Sequence, residues 1–134
     1  MDLYHMIRIA FASTDGVSVN QHFGWCETFY IYDIDAQSAT LVAHNDASKK
    51  LDDEVEKLVY KIESLGESDI VYVSQIGPKA ANMVKKAGIY PMSSSNQEQT
   101  IESVIHSIQK MLGGTTPLWL QRIVMQKKAD EERV

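Results

Sequence analysis

Short runs rich in β-branched and aromatic residues alternate with apolar stripes of helical period, and together they predict an α/β protein. Three of those runs come in close succession before the first stripe, so a meander is expected, followed by αβαβα. That pattern implies a mixed five-stranded sheet sandwiched between helices. Crossover rules allow the strand order 3-2-1-4-5, with strand 2 antiparallel to the rest. A chain of 134 residues, 44% hydrophobic and 23% charged, has the size and composition of one globular domain.

The first strand is read at Met6 to Ser13 and ends on Thr14-Asp15-Gly16, a turn cluster. The second, Thr28 to Asp35, sets Phe29 and Ile31 on one face and Tyr30, Tyr32 and Ile34 on the other, as a strand covered on both sides should. Asp35 to Ser38 predicts a hairpin turn into a short third strand, Ala39 to Ala43. Leu51, Val55, Leu58, Ile62 and Leu65 then form one stripe on a first helix, stopped by Gly66.

A fourth strand follows at Asp69 to Ser74. Gly77-Pro78 opens a second helix, with proline where its missing N–H costs nothing, and Gly88 closes it. Pro91 inside the fifth strand, Ile89 to Met92, predicts an edge position. Ser95-x-x-Glu98 reads as a capping box before a third helix, with Ile101, Val104, Ile105, Ile108 and Met111 facing inward. Gly113-Gly114 ends that helix. The expected organisation is a single binding domain over 1–114 and a C-terminal tail over 115–134, with Lys127 to Arg133 solvated and frayed.

Charge and cysteine content narrow the function classes. The net charge of -5 argues against nucleic acid and anionic membrane as partners. One cysteine, Cys26, leaves no internal disulfide and suits a reducing compartment. The first residues lack the basic region of a signal peptide, and no apolar run approaches the ~18 residues of a membrane helix. The expected location is the cytoplasm.

In the proposed order, strands 1 and 4 lie side by side where the winding changes direction, the crevice that ligands favour in open α/β sheets. Above it runs the segment Thr14 to Glu27, which holds His22, Phe23, Gly24, Trp25 and Cys26. Neutral imidazole and thiolate suit iron in a sulfide-rich cluster. His22 and Cys26, four apart, share a face if the loop ends in a helical turn. One histidine and one cysteine suit transient capture of a preformed cluster better than a permanent four-thiolate site.

Other roles stand beside these. A loop histidine more often bonds to backbone, a free cysteine is more often a small core residue, Phe23 and Trp25 can be packing anchors, and Gly16 and Gly24 can simply permit turns. Gly77 and Lys79, at the start of the second helix, could hold an anionic cluster or an organic acid on free N–H groups, or be an ordinary helix start. Ser93, Ser94 and Ser95 could also donate to an anion, although capping accounts for them. His5, His44 and His106 read as isolated surface residues.

The motif Asp15-Gly16-x-x-Val19-x-x-His22-Phe23-Gly24, after the strand Ile9-Ala10-Phe11-Ala12, resembles the signature of the family that binds the nitrogenase iron–molybdenum cofactor. Further matches run through Val71-Tyr72, Ile76-Gly77, Ala87-Gly88-Ile89-x-Pro91 and Pro117-x-Trp119-Leu120, nearly the whole chain in the family's order. The last of these resembles the NifX branch, whose members usually carry a richer proline run. The resemblance implies a three-layer α/β/α, ribonuclease-H-like fold. It also implies transient binding of the iron–molybdenum cofactor or its iron–sulfur precursor and hand-over between cofactor assembly proteins, without enzymatic activity. Under it, His22 is the residue implicated in binding, and Cys26 lies in a more variable position.

Two rival functions follow from other features. An adaptor could dock through an exposed Trp119 without touching a cluster. A two-metal nuclease would need carboxylates such as Asp15, Asp33 and Asp35 brought together.

Overall fold

The computed structural model describes residues 6–94 and 98–132. Its strands are β1 (Ile7–Ala12), β2 (Thr28–Ile34), β3 (Ala39–Asp46), β4 (Ile70–Val73) and β5 (Tyr90–Ser93). Its helices are α1 (Glu54–Glu63), α2 (Pro78–Lys86), α3 (Ile101–Gly113) and α4 (Leu118–Glu132), and a short 3₁₀ turn covers Phe23–Trp25. The sheet order is β3-β2-β1-β4-β5, as the sequence predicts. β2 runs antiparallel to both β1 and β3, whereas β1, β4 and β5 are parallel.

Alternation along the central strands divides the interior into two cores. Ala10 and Ala12 of β1 face one way, in a cluster with Phe29 and Ile31 of β2, Val71 and Val73 of β4, Leu58 of α1 and Val84 of α2. Ile7, Ile9 and Phe11 face the other, with Ile34, Ile70, the inward face of α3, and Leu120 and Val124 of α4. Helices therefore cover both faces of the sheet, α1 and α2 on one and α3 and α4 on the other. Among the described residues, no helix is long and apolar enough to cross a membrane.

The larger boundary differences from the sequence reading have local reasons. β3 continues to Asp46 because β2 offers paired backbone as far as Thr28, and an edge strand tolerates exposed His44 and Asp46. α1 begins at Glu54, not Leu51, because the Asp53 carboxylate accepts the Glu56 N–H at 2.9 Å and caps the helix there. α3 begins at Ile101 under a capping box of Thr100 and Ser103; Ser95 lies outside the described residues. Leu112 is the last fully buried residue of that helix, and Met111 packs half-buried against the same core, as expected.

The C-terminal segment is the largest difference. It forms α4, with Leu120 fully buried and Trp119 stacked on Tyr90 at 5.2 Å between ring centroids. Lys127, expected to be solvated, pairs with Asp69 at 2.8 Å and ties α4 to the start of β4. Period alone missed this helix because its apolar residues do not form one stripe: Leu118 and Met125 are exposed while Leu120 and Val124 are buried. His44 and His106 are exposed, as expected, and His5 lies outside the described residues.

Inside the sheet, Arg8 donates to both oxygens of Asp33 across the β1–β2 pair, at 2.8 and 3.0 Å. That bidentate contact holds the Asp33 carboxyl below its ordinary value of 3.8. A carboxylate depressed on folding contributes stability that is complete above the ordinary value and is lost as pH falls through the depressed one. Acid denaturation of Asp33→Asn should therefore show a shallower loss of stability below about pH 4 than the parent chain. Identical pH profiles would show that the pair contributes nothing.

Truncation after Gly114 tests whether 1–114 stands as a domain without α4. Removing Leu120 and Val124 uncovers one core, at a cost of about 1.5–3 kcal/mol per side chain. The thermal midpoint should fall by on the order of 10 °C or more. An unchanged midpoint would show that α4 only rests on the surface.

Candidate functional site

The loop after β1 is built by its first residues. The buried Ser13 hydroxyl accepts the N–H groups of Asp15 and Gly16 and donates to the Asp15 carboxylate. That carboxylate accepts the N–H groups of Val17 and Ser18, both at 2.9 Å, and these bonds hold its pKa down. Gly16 has φ +75°, a conformation that favours glycine, and a Cβ there would lie 3.0 Å from the Tyr30 ring, which would have to give way. Asp15-Gly16 is thus the turn that reverses the loop over the sheet.

The loop then returns to the sheet and pairs with the residues that follow β4. Ser74 N–H donates to the Gln21 carbonyl at 3.0 Å, and Phe23 N–H donates to the Gln75 carbonyl at 2.9 Å, so His22 is bridged to Gln75 as a parallel strand would be. Phe23 is buried and packs against Phe29, with ring centroids 5.9 Å apart. The 3₁₀ turn that follows carries Trp25 back over His22. Their rings are parallel within 3° at 4.8 Å, so the imidazole plane is fixed by stacking.

His22 borders two openings at the strand ends. A cleft of about 700 Å³ is lined by His22, Val19, Asn20, Ser74, Gln75 and Ser93-Ser94. A smaller pocket of about 190 Å³ lies between His22, Gly24, Trp25 and Gly77. The structure therefore brings His22, Gly24 and Gly77 together. Gly77 is the N-cap of α2, while Lys79 points to solvent and lines neither opening. Trp25, read as a packing anchor, is 69% exposed and serves as the wall of the site.

Of the two roles open to Cys26, the structure gives core packing. Its side chain is fully buried among Phe23, Phe29 and Leu58, and its thiol donates to the Thr28 carbonyl at 3.0 Å. Burial pushes the thiol up to about 11. The 3₁₀ turn spaces residues 22 and 26 so that one lines the cleft and the other the interior, and Cys26 borders neither opening. Asn20, Ser74 and Gln75 were missed in the sequence. Ser74 and Gln75 are marked only by following β4, and Asn20 only by its place in the loop before His22, because serine and amide residues are common in any turn.

The carboxylates of the nuclease reading are spread apart. Asp15 follows the C-terminal end of β1, whereas Asp33 pairs with Arg8 near its start and Asp35 caps the β2–β3 turn by accepting from Gln37 and Ser38. A strand of this length separates them by roughly 20 Å, and two-metal sites need about 4 Å between ions. Trp119, the anchor of the adaptor reading, is half-buried against Tyr90.

The fold and site define a mixed α/β/α sandwich whose post-β1 loop presents one oriented imidazole over the strand ends. The chain belongs to the dinitrogenase iron–molybdenum cofactor family, whose model matches residues 5–111. NifX of Herbaspirillum seropedicae is 32% identical over 96% of this chain and 86% of that protein, and NifX of Rhodobacter capsulatus is 32% identical over 88% and 77%. NifY of Azotobacter vinelandii is 28% identical over 87% of this chain and 47% of its own longer length. A solved structure from Methanocaldococcus jannaschii shares the fold at a TM-score of 0.53, with 12% identity over 81% of this chain and 91% of that one.

The burial of Cys26 has a measurable consequence. A thiol moved from 9.0 to about 11 has about a hundredfold less thiolate at pH 8. Alkylation by iodoacetamide should be at least that much slower in the native chain than in denaturant. Equal rates would place the thiol at the surface.

Proposed function

We propose that this chain binds the iron–molybdenum cofactor, or its iron–sulfur precursor, and carries it transiently between assembly proteins in the cytoplasm, without catalysing a reaction. One observation supports this most: His22, the histidine of the family motif, is the imidazole at the mouth of the cleft, held in plane by Trp25 and in position by the Gln75 bridge. Family membership and the similarity to NifX proteins connect the chain with the nitrogenase cofactor.

In this reading the cluster is cargo. His22 supplies a neutral nitrogen ligand to a terminal iron. Ser74 and Gln75 line the same cleft and offer hydroxyl and amide donors to the sulfide surface. Among the described residues, no three or more His, Cys, Asp or Glu side chains are grouped as a metal site. One protein ligand plus neutral hydrogen bonds suits release to an acceptor, whereas four thiolates would retain the cluster. Phe23 and Gly24 act by anchoring and turning the loop, and Cys26 as core beneath it.

The test separates ligation from folding. His22→Ala should keep the thermal midpoint, since trimming a loop side chain usually changes stability by less than ~0.5 kcal/mol. It should weaken binding at least tenfold, on the order of 1.4 kcal/mol, in an anaerobic titration with isolated cluster. Cys26→Ala should do the reverse, unfolding earlier while binding normally once folded. Normal cluster binding by His22→Ala would remove the histidine from the site.

A further inference from the structure

Gly24 and Trp25, which border the His22 pocket, also border a separate cavity of about 430 Å³. We propose that this cavity binds a small multivalent oxyanion, a polycarboxylate or a phosphate. Its charged lining consists of Lys49, Lys50, Lys57 and Lys61 against Glu27 and Asp52, a local balance of +2 on a chain whose net charge is -5. Concentrating positive charge in one concavity of an otherwise acidic protein is how a field that repels anions overall admits them at one place.

Lys61 is the second observation. Its side chain lines the cavity, yet the residue is only 5% exposed. The ammonium donates to the carbonyls of Cys26 and Ala47, and no described residue accepts its third N–H. No carboxylate among the described residues lies within ion-pair distance of it. Glu27 and Asp46 act on that charge only from beyond ion-pair distance, and an oxyanion seated in the cavity supplies a close counter-charge and the third acceptor. Burial also lowers the Lys61 pKa, as expected of an ammonium lacking that partner.

The other lysines are placed to complete the contact. A Cβ at Gly24 would lie 3.9 Å from the Lys57 Nζ, so that ammonium stands beside the turn. Its one ion-pair contact is a loose 3.6 Å approach to the exposed Glu54. Lys49 and Lys50 are exposed and have no ion-pair partner among the described residues. One buried donor with three exposed or half-exposed ammonium groups suits a compact ligand with several oxygens.

The site does not rest on the metal-cluster reading, and one experiment keeps the two apart. The intact chain is titrated by calorimetry with citrate and with inorganic phosphate, in chloride buffer at fixed ionic strength. Saturable one-to-one binding of at least one of them at millimolar concentration or below is expected, and the tighter ion identifies the chemistry. Lys50→Gln/Lys57→Gln and Lys49→Gln/Lys50→Gln change exposed or half-exposed side chains and should each weaken it at least tenfold, with circular dichroism confirming the fold. His22→Ala should bind the anion as the intact chain does. Absence of saturable binding of both ions to the intact chain, or unchanged affinity in both lysine variants, would overturn the proposal.

Discussion

The site depends on the docking of the post-β1 loop back onto the end of β4. Two backbone hydrogen bonds, from Ser74 to Gln21 and from Phe23 to Gln75, make residues 21–23 a sixth, very short line of pairing beside the sheet. Phe23 anchors that line in the core, and Asp15-Gly16 supplies the reversal that brings it there. With its ends held this way, the loop has little freedom at His22 itself. The imidazole is presented by sheet geometry, not by a floppy connection, and a ligand need not supply the entropy of ordering it.

Two cores of different character follow from β1. Its alanine face admits the large aromatics Phe23 and Phe29, and so it is this face that receives the loop anchor. Its Ile7, Ile9 and Phe11 face is covered by α3 and α4. The site is thus coupled to α1 and α2, while α4 supports the opposite face. Loss of α4 should act on the site only through global stability, because no residue of that helix lines either opening beside His22.

The electrostatics of the two concavities differ in kind. The cleft beside His22 is lined by hydroxyl, amide and imidazole groups, which ligate or donate without strong fixed charge. The cavity beyond Trp25 is lined by ammonium groups around a buried lysine. Trp25 stands between them, stacked on His22 and exposed to solvent. A side chain that stacks on the cleft's imidazole and lines the lysine cavity is well placed to report occupancy of either by its fluorescence.

The strand runs, the helical stripes and their punctuation by Gly66, Gly77-Pro78 and Gly88 were legible because each depends on local conformation: the side-chain period, the missing proline N–H and the positive φ of a glycine stop. The sheet order was legible because so few crossovers connect a meander to αβαβα. The motif residue His22 was legible as a candidate through its family pattern. The roles of its neighbours were not, since whether Cys26 faces the cleft or the core turns on a 3₁₀ rather than an α turn between them, a difference settled by the Phe23 anchor. α4 escaped for a similar reason, because its burial is set by a meeting with Tyr90 and Asp69, remote in sequence. Local periodicity determined the elements and their order; long-range packing decided which side chains became site, core or surface, because burial is a property of neighbours that the chain brings together only on folding.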